Sequence, residues 1–195
     1  MGVVSAAAIE KGGQVTGVLP YAMVAAGGEK EQTDGEIQAK IAAGILFDGE
    51  NRENVVVNSM HERKLEMAKR SCGFICLPGG YGTLEELLEV TTWSQIGIHH
   101  KPVIAMNVLS YYNPLRELIR NGVKEGFIAS RNERLIIFVD GPEDLAEHEN
   151  FDWGKAALGV LEQWREEGAR SDDLLYDWTQ RKGENASNGE ELGAA

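Results

Sequence analysis

Cys72-Gly73-Phe74-Ile75-Cys76-Leu77-Pro78-Gly79-Gly80-Tyr81-Gly82-Thr83-Leu84-Glu85-Glu86 runs from an apolar stretch through a glycine turn into a leucine-spaced, charged segment. A short apolar run bounded by glycine and proline is the pattern of a buried strand. Thr83 and Glu86 stand at the Thr-x-x-Glu spacing of a capping box, which predicts a helix over 83–96 with Thr83 as its cap. Glycines at a strand-to-helix turn let a ligand approach the backbone, and the unpaired N–H groups of a helix start favour an anion such as phosphate. A tight turn with no ligand accounts for the same glycines.

The alternation continues on both sides. Residues 15–19, 55–57, 73–77, 103–108 and 135–139 read as strands, and 5–11, 60–70, 83–96, 112–125 and 142–166 as helical stretches. Val- and Ile-rich runs separated by amphipathic helices predict an α/β fold, a Rossmann-like parallel sheet with helices on both faces. That domain is expected over 1–166, with a polar insertion at 27–54 in which 37–47 reads as helical; 167–195 reads as a polar, flexible tail. The chain opens inside a helix where a doubly wound nucleotide fold opens with a strand, so the fold is read as N-terminally incomplete.

Composition narrows the function classes. Of 195 residues, 43% are hydrophobic and 26% charged, which fits a globular core. Thirty-one acids against 19 bases leave a net charge of −12, which opposes a nucleic-acid backbone or an anionic membrane but not a single phosphorylated metabolite. No apolar stretch approaches the roughly 20 residues of a membrane helix, and the start lacks a basic signal region, so a cytoplasmic location is expected. Cys72 and Cys76 read as small core residues of an extended run. Together with His61, His99, His100 and His148 they form no ligand spacing, so no metal is expected. His99-His100 before Lys101-Pro102 reads as a helix-ending turn in which protonated histidine favours the helix C-terminus, and Trp153 and Trp164 read as packing residues.

Two helices carry the candidate chemistry. At about 100° per residue, Leu84, Leu87, Leu88 and Thr91 form one stripe toward the sheet, while Glu86, Val90, Trp93 and Gly97 form a second. A second semi-apolar face needs its own partner, which would place Glu86 in a partly desolvated cleft. Met60-His61-Glu62-Arg63-Lys64-Leu65-Glu66-Met67-Ala68-Lys69-Arg70 reads on its own as a solvated, ion-paired helix. It follows a strand, however, and a helix starting at the carboxyl end of a parallel strand faces the ligand edge, where Arg63 or Lys64 can meet a phosphate or ribose.

The combination of Met60-His61-Glu62-Arg63-Lys64, Pro78 to Glu86 and Thr92-Trp93 resembles the Lonely Guy family of cytokinin-activating phosphoribohydrolases, often mislabelled as lysine decarboxylases. Gly17-Val18-Leu19-Pro20, Lys101-Pro102-Val103, Asn107-Val108 and Tyr111-Tyr112 support it, and the insertion and tail fall outside it. The resemblance implies a homodimer that hydrolyses an N6-modified adenosine 5′-monophosphate to free base and ribose 5-phosphate, without a cofactor. It makes Arg63 and Glu86 the catalytic pair. It assigns Lys64, Gly80, Tyr81, Gly82, Thr83, Leu84, Glu85 and Thr92 to the nucleotide site, with Met60 touching the base; the glycine turn itself reads as holding the 5′-phosphate through the amides of Gly79 to Thr83. Family members carry a further opening strand-helix-strand unit, which leaves an alternative, a nucleotide-binding or carrier protein on the same fold. A pyridoxal decarboxylase would need a cofactor lysine and pocket, and nothing here marks either.

Overall fold

The computed structural model describes residues 2–25 and 51–167, so the expected helix at 37–47 and the tail beyond 167 lie outside the described residues. Two compact units emerge, Met1–Ser71 and Cys72–Ala195.

In the first unit, helix α1 (Gly2–Glu10) ends where Gly12 takes φ +78°, a left-handed conformation that glycine adopts without penalty. The Gly12 N–H donates to Ile9 O and the Gly13 N–H to Ala8 O, both at 2.8 Å, closing a Schellman motif. Strand β1 (Val15–Pro20) then pairs in parallel with β2 (Arg52–Val57), Val18 opposite Val55, and the short helix α2 (Tyr21–Ala25) follows β1. Helix α3 (Met60–Arg70) starts just after the carboxyl end of β2. Ser59 caps it by accepting the Glu62 N–H at 3.1 Å, and the Glu62 carboxylate accepts the Asn58 N–H at 2.7 Å. Glu62 is thereby committed to the helix start.

The second unit is a three-stranded parallel sheet in the order β3 (Phe74–Cys76), β4 (Val103–Asn107), β5 (Ile136–Asp140). All five β4 residues are buried, because this central strand is covered on both faces. Val103 and Ala105 point into one core with Leu87, Tyr112 and Ile136, beneath α4 (Tyr81–Gln95) and α5 (Asn113–Lys124). Ile104 and Met106 point into the other with Val139 and Ala157, beneath α6 (Trp153–Glu167). The fold is therefore α/β and Rossmann-like, as the alternation of runs predicts.

Several local expectations are corrected. The helix expected from Thr83 begins at Tyr81 with Gly80 as N-cap and no side-chain cap bond, so no capping box forms. Val90 packs into the core beside Leu84, while Leu88 is 44% exposed; the helix is rolled toward Val90 and away from Leu88. The stretch 142–166 is α-helical only from Trp153. Before it, Leu145–Glu149 forms a 3-10 turn capped by Asp144, and Asp152 accepts the Lys155 N–H at 2.9 Å in the first turn of α6. Cys72 is exposed, not a core residue, because β3 starts only at Phe74. Trp153 does pack, its ring edge-on to His148 and Phe151.

At the carboxyl end of β5, Arg116 donates to both oxygens of Asp140 at 2.7 Å and lies 4.7 Å over the Phe138 ring. Burial works to raise the Asp140 carboxyl, but hydrogen bonds from Asn107 and Arg116 and the charges of Arg116 and Arg120 outweigh it and hold it below its ordinary range. Asp140→Asn is expected to cost about 1 kcal/mol in urea melts at pH 7, a value kept small because half of the Asp140 side chain faces water. The difference from wild type should vanish only in strong acid, as pH falls through the lowered carboxyl pKa.

Candidate active site

The site region grows from the carboxyl end of β3. Leu77 to Gly80 turn the chain into α4, whose first bond runs from the Leu84 N–H to Gly80 O at 3.0 Å. The N–H groups of Tyr81, Gly82 and Thr83 precede that bond, and no side chain caps them. A Cβ on Gly80 or Gly82 would meet nothing within 4 Å, so the backbone there is open to close approach. Gly79 is the opposite case: a Cβ would stand 2.2 Å from Thr83 Oγ1 and 2.8 Å from its Cβ, so Thr83 folds over a position that only glycine can fill. Gly79→Ala is therefore expected to displace the first turn of α4 and lower the melting temperature by several degrees, measurable by calorimetric melting.

Leu84, Leu87 and Val90 fix α4 to the sheet, leaving Tyr81 94% exposed, Glu85 exposed and Glu86 half-buried. The Cys76 thiol sits under this turn, 3.9 Å from Thr83 O and 3.5 Å from the Tyr112 hydroxyl. Burial pushes its pKa up, the Tyr112 bond opposes this, and the negative charge of Glu86 adds to the rise. Cys76 thus stays a thiol and packs rather than attacks. Thr92 is exposed near the end of α4, its hydroxyl donating to Leu88 O at 2.8 Å.

Gly79 to Thr92 belong to the second unit; Met60, Arg63 and Lys64 belong to the first, on the opening turns of α3. Met60 is exposed there, and Arg63 and Lys64 are half-buried.

His99 stands apart from this chemistry. It is 3% exposed, its ring lies against Phe74, and its Nδ1 accepts the Lys101 N–H at 3.1 Å. Burial, joined by the nearby charges of Lys101 and His100, pushes its pKa down to about 4, so the expected protonated turn is wrong for His99.

Tyr111 and Tyr112 carry no site signal in the sequence beyond the resemblance, yet both side chains reach the glycine turn. Tyr112, almost wholly buried, donates its hydroxyl to Leu77 O at 2.6 Å, and the Tyr111 hydroxyl donates to Gly79 O. Asn107, buried at the end of β4, accepts the Tyr112 N–H at 2.7 Å and donates to Asn113 and Asp140. Burial pushes the Tyr112 phenol well above its ordinary range, so it remains a donor.

A family model described as possible lysine decarboxylase matches residues 1–148. The chain belongs to that family. Its curated relatives bear a different activity in their names. It is 44% identical over 147 residues to the probable cytokinin riboside 5′-monophosphate phosphoribohydrolase LOGL2 of Oryza sativa subsp. japonica, covering 75% of this chain and 53% of that protein. It is 43% identical over 145 residues to the cytokinin riboside 5′-monophosphate phosphoribohydrolase LOG1 of Arabidopsis thaliana, covering 74% of this chain and 60% of that one. The chain spans between about half and three fifths of the length of these relatives. Among the described residues, no helix is long and apolar enough to cross a membrane.

Proposed function

We propose that this chain hydrolyses the N-glycosidic bond of an N6-modified adenosine 5′-monophosphate, releasing free base and ribose 5-phosphate. The observation that carries this reading is the start of α4. Three successive uncapped amides, those of Tyr81, Gly82 and Thr83, follow the open Gly80 and stand just ahead of the half-buried residue Glu86. Amides at a helix start suit a 5′-phosphate, and the names of the relatives support a nucleoside monophosphate as the substrate.

In the proposed step the C1′–N9 bond breaks with its electrons on the base, a water oxygen bonds to C1′, and one water proton ends on the departing base. Positive charge builds on the ribose as the bond lengthens. Glu86 faces that charge and positions the water. Arg63, which the resemblance pairs with Glu86, orients the ribose or assists the departing base. Lys64, Leu84, Glu85 and Thr92 complete the nucleotide site and Met60 touches the base. The step balances with water alone. We further propose that the protein acts in the cytoplasm as a homodimer, which light scattering in solution would test.

Chromatography of the full chain incubated with adenosine 5′-monophosphate and isopentenyladenosine 5′-monophosphate tests the reading. Free base in stoichiometric match with ribose 5-phosphate is the expected result. Nucleotide binding by calorimetry without any base release would overturn hydrolysis and make the chain a nucleotide-binding or carrier protein.

A further inference from the structure

We propose that Tyr111 is a positioning residue that sets the orientation of the Gly79–Gly80 peptide, so that the Gly80 N–H joins the helix-start amides in holding phosphate. The inference rests on the reading of that turn as the phosphate site.

Tyr111 and Tyr112 follow a 3-10 turn, Val108–Ser110, in which Leu109 and Ser110 take φ +51° and +58°. Side chains with a Cβ rarely adopt such left-handed values, and two in succession persist only where surrounding contacts over-determine them. Those contacts are present. The Leu109 N–H donates to His148 Nδ1 at 3.0 Å. His148 Nε2 lies 2.7 Å from Pro142 O, which fixes the proton on Nε2 and leaves Nδ1 as the acceptor. Trp153 Nε1 donates to His148 O at 3.0 Å. Gly141 leaves room for this assembly, since a Cβ there would come within 2.8 to 2.9 Å of the His148 and Trp153 rings. On the far side of the turn, the Tyr112 N–H is taken by Asn107.

The outcome of this bracing is unusual. Two consecutive tyrosines, their rings edge-on with centroids 5.1 Å apart, send both hydroxyls to one turn, Tyr112 to Leu77 O and Tyr111 to Gly79 O. In a trans peptide the carbonyl and the following N–H point in opposite directions, and the described backbone contains no cis bond. Holding the Gly79 carbonyl toward Tyr111 therefore turns the Gly80 N–H away from it. A Gly-Gly peptide flips readily because neither neighbour carries a Cβ. Nothing in the glycine pair itself selects one orientation, whereas a hydroxyl delivered by a rigid turn does.

The test is calorimetric titration of the full chain and its Tyr111→Phe variant with adenosine 5′-monophosphate and with adenosine. Phenylalanine keeps the ring contact and removes only the hydroxyl. Wild type should prefer the monophosphate; the variant should bind it about five- to tenfold more weakly while its affinity for adenosine stays unchanged. Faster hydrogen exchange in the 77–84 segment of the variant is the accompanying expectation. An unchanged preference for the monophosphate in Tyr111→Phe would overturn the positioning role and leave the phosphate site standing. Equal weakening toward both ligands would also overturn it, by showing a general packing role. A wild-type chain that binds neither ligand, or ignores the phosphate, would overturn the phosphate reading and the inference together.

Discussion

In the proposed hydrolysis, Glu86→Gln is expected to lower the rate of base release about 100-fold or more while leaving nucleotide affinity within a few-fold of wild type. The substitution preserves shape and removes the charge. Glu86 lies on a helix held to the sheet by Leu84, Leu87 and Val90, and the glutamine side chain has the same size, so the fold should survive the change. A carboxylate facing an oxocarbenium-like ribose stabilises a charge that exists only on the way to the products, so its loss should appear in kcat rather than in KM. Single-turnover rates with isopentenyladenosine 5′-monophosphate would show the difference directly. Retention of the wild-type rate in the glutamine variant would remove Glu86 from the mechanism.

The second large effect is on stability in mild acid. His99 has an ordinary imidazole pKa of 6.5 when unfolded and about 4 when folded. Between those values the unfolded chain binds the proton and the folded chain does not. Stability is then fully present above pH 6.5, falls as the pH drops toward 4, and levels off below it. The full span corresponds to roughly 3 kcal/mol at 1.36 kcal/mol per pKa unit. Urea midpoints at pH 7.5, 5.5 and 4.5 would trace the fall, and His99→Asn, which keeps an acceptor for the Lys101 N–H, should flatten it. Asp140 does not blur this window, because its lowered carboxyl titrates in more strongly acid solution. An equally steep profile in the His99→Asn variant would assign the acid sensitivity elsewhere.

Much of the architecture was legible because it is written locally. The apolar residues Val103 to Met106 read as a strand and prove buried on both faces, and the helical stretch read up to residue 11 ends at Gly12, whose left-handed φ suits glycine. The glycine turn before α4 was equally plain, since strand, turn and helix follow one another within a dozen residues. What escaped was everything settled by distant neighbours. Thr83 fits a capping box by spacing, yet Gly80 lets the helix begin a turn earlier and Thr83 covers Gly79 instead. His99 reads from its neighbours as a charged helix end, because sequence does not show that Phe74 and the surrounding core exclude water from its ring. The hydroxyls of Tyr111 and Tyr112 meet carbonyls 32 and 35 residues earlier, a meeting set by the β3–β4 register and by a left-handed turn that no residue type in Val108-Leu109-Ser110 announces.

The Gly79–Thr83 contact also governs how this turn tolerates change. One small volume is shared between two positions, with the hydroxyl oxygen and Cβ of the threonine lying where the side chain of residue 79 would begin. Position 79 does not vary freely on its own: an enlargement there survives only with a reduction at 83, and that reduction strips the hydroxyl from the opening turn of α4. Positions 79 and 83 are in effect one genetic unit, and Gly79→Ala combined with Thr83→Gly should restore the fold that Gly79→Ala alone disturbs.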